Sequence, residues 1–171
     1  MIKLRDILKE IGETTEPYPF TVSYSGIRGQ SAICEYTFEN KNQDTIEVSI
    51  FVRLKQIVHI DGTQHEGPQL EVTFALKDAV DDEDDEDKKY KDMTGSGDAL
   101  KVISTVVACI KDTAEKVLDS LDEVLTITFI GDDSKRFNVY LKYAQKQLPA
   151  GWVIKTDEGD GRITLFNTNI Q

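Results

Sequence analysis

A chain of 171 residues, 39% hydrophobic and 30% charged, has the length and composition of one folded domain able to bury a core without disulfide staples. Its 31 acidic side chains against 20 basic ones leave a net charge of −11. That balance argues against direct binding to nucleic acid, because affinity for a phosphate backbone comes from lysine and arginine displacing counterions.

The elements follow in chain order. IKLRDILKEI places Ile2, Leu4, Ile7, Leu8 and Ile11 near helical spacing, and Gly12 stops the pattern, so a short amphipathic helix is expected over residues 2–11. Antiparallel strands are expected over 20–76. Phe20, Val22 and Tyr24 alternate before Gly26 and Gly29 end the first strand, and the second covers roughly Ser31 to Phe38. A long third strand runs from Thr45 to Ile60 with Ile46, Val48, Ile50, Val52 and Leu54 on one face. DGTQHEGP reads as a turn, and the fourth strand spans Gln69 to Leu76. Short polar connections of this kind imply an antiparallel meander with one dry face.

Residues 78–97 form an acidic and glycine-bearing loop. Beyond it the period changes to 3.6: Leu100, Ile103, Val107, Ile110, Ala114 and Val117 form one stripe, widened by Val102 and Val106, with Ser96 or Asp98 as cap. VLTITFI, Val124 to Ile130, is a strand expected to be covered on both faces. Phe137, Tyr140, Leu141, Ala144 and Leu148 mark a second helix ended by Pro149 and Gly151, and Trp152–Thr156 with Arg162–Phe166 form a closing hairpin. The expected fold is a single α+β domain over 1–171, a mainly antiparallel sheet with two packed helices.

Chemistry-bearing residues are sparse. The run Asp81, Asp82, Glu83, Asp84, Asp85, Glu86, Asp87 suits a solvated loop or a docking segment for a basic protein; it lacks the alternating spacing and distal Glu of a calcium loop. His59 and His65 flank a turn, one in a strand and one in a loop, without the company a zinc site needs. Cys34 and Cys109 fall in a strand and an apolar helix, where cysteine serves as a small buried hydrophobe. Asp132, Asp133 and Ser134 fit helix capping, and Lys135 with Arg136 fits a surface salt bridge. No metal and no cofactor is expected. The sequence shows neither a secretory signal nor an apolar run long enough to span a membrane, which suggests a reducing cytoplasmic setting without membrane contact.

Two resemblances add to this. From the third strand onward the element order resembles the core of the Gcn5-related N-acetyltransferase fold, and Asp92-Met-Thr-Gly95-Ser-Gly97-Asp-Ala99 stands where that family's glycine loop opens a helix. The resemblance implies that backbone N–H groups at Gly95, Ser96 and Gly97 would hold the coenzyme A pyrophosphate of acetyl-CoA, with Tyr140 near the acyl site as general acid. The sequence departs from the family pattern at Asp92, where Gln or Arg is usual, and the upstream carboxylates oppose a polyanion. The segments MIKLRDILKEIG, TGSGDALKVISTVVACIK and ITFIGDDSKRFNVYLKYAQKQLP resemble small tailed-bacteriophage proteins that carry no assigned activity. This second resemblance implies phage origin and a location in the infected host's cytoplasm or in the virion. The net charge of −11 and the lack of a recognisable catalytic set lead to the expectation of a non-enzymatic accessory or structural protein whose acidic surface engages a phage or host protein with a basic surface.

Overall fold

A computed structural model describes residues 16–77, 99–130, 145–157 and 162–170. The expected N-terminal helix, the acidic run and most of the second expected helix lie outside the described residues.

Seven strands form one sheet: β1 (Thr21–Arg28), β2 (Ser31–Glu39), β3 (Thr45–Ile60), β4 (Thr63–Leu76), β5 (Thr126–Ile130), β6 (Trp152–Asp157) and β7 (Arg162–Asn167). Their order is β1-β2-β3-β4-β5-β7-β6. Neighbours are antiparallel except β4 and β5, which run parallel. A parallel pair needs a crossover, and the helix α1 (Ala99–Leu118) lies in that connection. The α+β class and the mainly antiparallel sheet expected from the sequence are both present.

The core forms where the alternating strand residues meet α1. Tyr36, Ile46, Val48, Ile50, Val52, Leu70, Val72, Ile127, Phe129 and Leu165 are buried in one cluster with Val106, Val107, Ile110 and Ala114 of the helix. Residues 145–147 form a helical turn on the same side: Gln147 Nε2 donates to Ser104 Oγ at 2.7 Å, Lys111 Nζ to the Gln147 carbonyl at 2.9 Å, and Leu148 enters the core. On the opposite face of the sheet Glu47 and Thr73 are exposed, while Ile33, Phe51 and Thr128 are half-buried. The expectation that Val124 to Ile130 is covered on both faces is met at its start, where Leu125 and Thr126 are buried on the face away from α1, and only in part beyond it, where Thr128 and Ile130 are half-buried.

Two strands depart from simple alternation. In β1 the register shifts between Val22 and Tyr24, so Val22 opposes Tyr36 while Tyr24 opposes Glu35 on the other face. Phe20, Val22 and Tyr24 therefore do not share a face as their spacing suggested. The strand also runs through Gly26 to Arg28, so of the two glycines expected to end it only Gly29, at positive φ, does so. In β3 the shift lies between Arg53 and Gln56, opposite Pro68. This bulge reverses the parity of the strand: Leu54 is only half-buried, Ile57 points outward, and Val58 and Ile60 turn to the face away from α1. There they form a second, smaller cluster with Leu125, Phe166 and Ile170.

The β3–β4 hairpin is longer than the sequence suggested. Its turn is only Asp61-Gly62, both at positive φ (51° and 78°), and TQHEGP continues as strand. Asp-Gly fits the mirror-image turn that a two-residue hairpin needs. Pro68 is tolerated because it lies opposite the bulge; its carbonyl accepts from Leu125 N at 2.9 Å. At Gly67 an added Cβ would stand 3.1 Å from the Leu125 side chain, so the absence of a side chain admits Leu125.

Candidate functional site

The sequence-derived site residues Gly95, Ser96, Gly97, Tyr140 and Asp81–Asp87 all lie outside the described residues. What the structure describes is a different feature, at the β1 edge beside the end of α1.

The approach to β1 is fixed by aromatic packing. Tyr18 stacks on Phe38 with centroids 6.1 Å apart, and its N–H donates to Thr105 Oγ1 at 2.9 Å; Lys101 Nζ lies 4.4 Å from the Tyr18 ring centroid. Phe20 meets Tyr36 edge to face at 5.6 Å. These rings fill the groove between β2 and the first half of α1. Beyond them the chain moves outward as β1, and the groove opens into a pocket of about 390 Å³ lined by Ser25, Gly26, Ile27, Cys34, Lys116 and Val117.

A polar cluster stands beside this pocket, two residues along β2 from Cys34. The fully buried Tyr36 hydroxyl donates to Asp112 Oδ2 at 2.8 Å and shares a hydrogen bond with Thr113 Oγ1 at 2.8 Å. Lys116 Nζ pairs with the same Asp112 oxygen at 2.7 Å and lies 5.7 Å from the Tyr36 ring centroid. Burial drives the Tyr36 hydroxyl far above the usual phenol range; the Thr113 hydrogen bond opposes that shift and Asp112 adds to it. Burial likewise pushes the Cys109 thiol up to about 12, with the Asp112 charge adding to the effect. Both groups are therefore protonated at neutral pH and supply no nucleophile. The cluster fastens β2 to α1 and gives the pocket a charged, internally compensated rim.

The outer side of β1 pairs with no described strand. Tyr24 is 54% exposed and Ile27 69% exposed, with Val22 also at the surface. The Tyr24 ring lies over Gly26: a Cβ there would fall 2.7 Å from the Tyr24 hydroxyl. From Thr21 to Ile27 the strand carries no charge. A shallower depression of about 350 Å³, lined by Gln30, Ser31, Phe51, Arg53, Lys55 and Gln56, lies near the β3 bulge; Arg53 there is paired with Glu71 at 3.3 Å.

The two cysteines are buried and free, as the sequence suggested. Both histidines sit in strands, His65 opposite Val58 and His59 opposite Gln64, so the expectation of one loop histidine is corrected by the longer hairpin. Among the described residues no group of three or more His, Cys, Asp or Glu side chains is placed to hold a metal ion, and no helix is long and apolar enough to cross a membrane. Compared with known proteins, the chain matches no family model, no curated protein and no solved structure.

Proposed function

We propose that this chain is a non-enzymatic accessory or structural protein of a tailed bacteriophage, acting by binding a phage or host protein in the infected cell or the virion. The observation that carries the reading is a sheet edge that pairs with no described strand, exposes Val22, Tyr24 and Ile27 and bears no charge before Arg28, in a protein of net charge −11. Contacts come from the edge, while the charge draws basic partners toward it and raises their rate of encounter. The phage setting rests on the sequence resemblance alone. A defined partner captured on the immobilised chain, in fixed stoichiometry, should associate more slowly as salt rises and when Asp81–Asp87 are replaced by Asn and Gln. Capture indifferent to both changes would sink the electrostatic part, and failure to capture any protein from host or infected-cell extract would sink the reading.

The second reading, an active or degenerate acyl-CoA-dependent N-acetyltransferase, is favoured by one observation: β4 and β5 run parallel, with α1 in the connection. A cofactor entering between these strands would need them to part near Val72 and Ile127. Leu70 is instead paired with Ile127 and Val72 with Phe129, and all four side chains are buried. This closed pairing weighs against the second reading. Calorimetric titration with acetyl-CoA should give no heat; saturable binding abolished by bulky residues at Gly95 and Gly97 would reverse the preference.

A further inference from the structure

We infer that Tyr24–Arg28 of β1 is a strand-addition site for an extended basic segment of the partner, whose inward-facing apolar side chain enters the pocket between Ile27 and Val117. The inference rests on the partner-binding reading above and specifies its surface.

The register shift between Val22 and Tyr24 marks where the strand becomes regular: from Tyr24 to Arg28 five successive residues pair in register with Glu35 to Ser31. In an antiparallel edge, alternate residues turn their N–H and C=O groups away from the paired neighbour, and an incoming strand satisfies them. Side chains of the added strand alternate between faces, so on the α1 side they meet the pocket lined by Ile27, Cys34, Val117 and Lys116. Ile27, Val117 and Cys34 give its lining an apolar part beside Ser25 and Lys116, and its volume of about 390 Å³ holds a large aliphatic or aromatic side chain. On the other face Tyr24, lying over Gly26, offers a ring to the neighbouring side chain.

Charge decides the occupant. The last two turns of α1 carry Asp112 and Glu115 against Lys116, which is already paired with Asp112; Asp119 follows the helix, and β1 itself ends in Arg28. Lysine or arginine flanking the apolar position of the incoming strand is thereby favoured. A second copy of the chain is disfavoured, since each copy has a net charge of −11.

The test titrates the intact chain, at low and at moderate salt, with acetylated heptapeptides alternating lysine with valine, isoleucine, leucine or tyrosine. Binding is followed by NMR shifts and amide exchange. Saturable binding by at least one peptide is expected, with slowed exchange over Tyr24–Arg28 and shifts at Lys116 and Val117. Ile27→Lys, or N-methylation of alternate peptide amides, should weaken binding at least tenfold. The exposed position of Ile27 keeps the variant folded, which its unfolding midpoint verifies. Binding that ignores both changes and spreads over the acidic surface overturns strand addition while leaving electrostatic steering in place. No binding by any of the peptides at low salt also overturns it, and partner capture then decides the broader reading separately. Concentration-dependent dimerisation abolished by Ile27→Lys would overturn the choice of occupant.

Discussion

The two edges of the sheet are built on opposite plans. At β6, Trp152 is buried and Lys155 stands at the surface, its Nζ 4.9 Å from the Phe166 ring centroid. The neighbouring Asn167 is buried and donates through Nδ2 to the Val124 carbonyl at 3.0 Å and the Asp122 carbonyl at 3.3 Å. At β1 the anchors precede the strand, in Tyr18 and Phe20, and the strand itself shows apolar side chains to water. One edge is therefore fastened through its own residues and carries a lysine beside the exposed Val153; the other is fastened from behind, and no described strand covers it. Fixing an edge strand does not require burying it, and an edge held this way stays available.

Substitutions should expose the contrast as a descending series in chemical denaturation. Trp152→Ala removes a buried indole from the β6 edge and should cost about 3–5 kcal/mol. Asn167→Ala, which leaves two backbone carbonyls without their donor, should cost roughly 1–3 kcal/mol. Behind β1, Tyr36→Phe should cost roughly 1–2 kcal/mol through its lost hydrogen bonds to Asp112 and Thr113. On β1 itself, Ile27→Lys and Tyr24→Lys should change stability by no more than about 0.5 kcal/mol. An Ile27 substitution as costly as that of Trp152 would abolish the distinction between the edges.

Alkali sharpens the same comparison. Cys109 and Tyr36 are neutral when protonated, and folding raises both from ordinary values of 9.0 and 10.0. Their contribution is fully present below pH 9 and is lost as pH rises, for the thiol through about 12 and for the phenol from pH 10 upward. The urea midpoint should therefore fall from pH 9 onward, and Cys109→Ala should flatten the first part of that fall. An unchanged pH profile in this variant would remove the thiol from the account.

Alternation and helical period made most elements legible, because β2, the first part of β3 and α1 each bury one regular face. The bulges were not legible. Nothing in RLKQI announces that an extra residue turns Val58 and Ile60 away from the face used by Ile46–Val52, since both sides of the bulge read as apolar alternation. TQHEGP looked like a turn because it is polar and holds Gly67 and Pro68. In fact Pro68 sits opposite the bulge, and Gly67 makes room for a side chain far along the chain. The β1 groove was hidden for another reason: Tyr36 and Asp112 are 76 positions apart, and only the crossover brings them together. The regions the sequence did single out, the acidic run and the glycine loop, lie outside the described residues.

The β3 bulge also divides the hairpin into units of different cooperativity. Below it, Ile46, Val48, Ile50 and Val52 belong to the large core cluster; above it, Val58 and Ile60 belong, with Leu125, to a cluster of three buried residues. Amides near the Asp61-Gly62 turn should thus exchange through a partial opening, at lower free energy and less dependent on denaturant than those of Ile46–Val52. A single inserted residue would thereby set a region that opens alone apart from one that opens only with everything else.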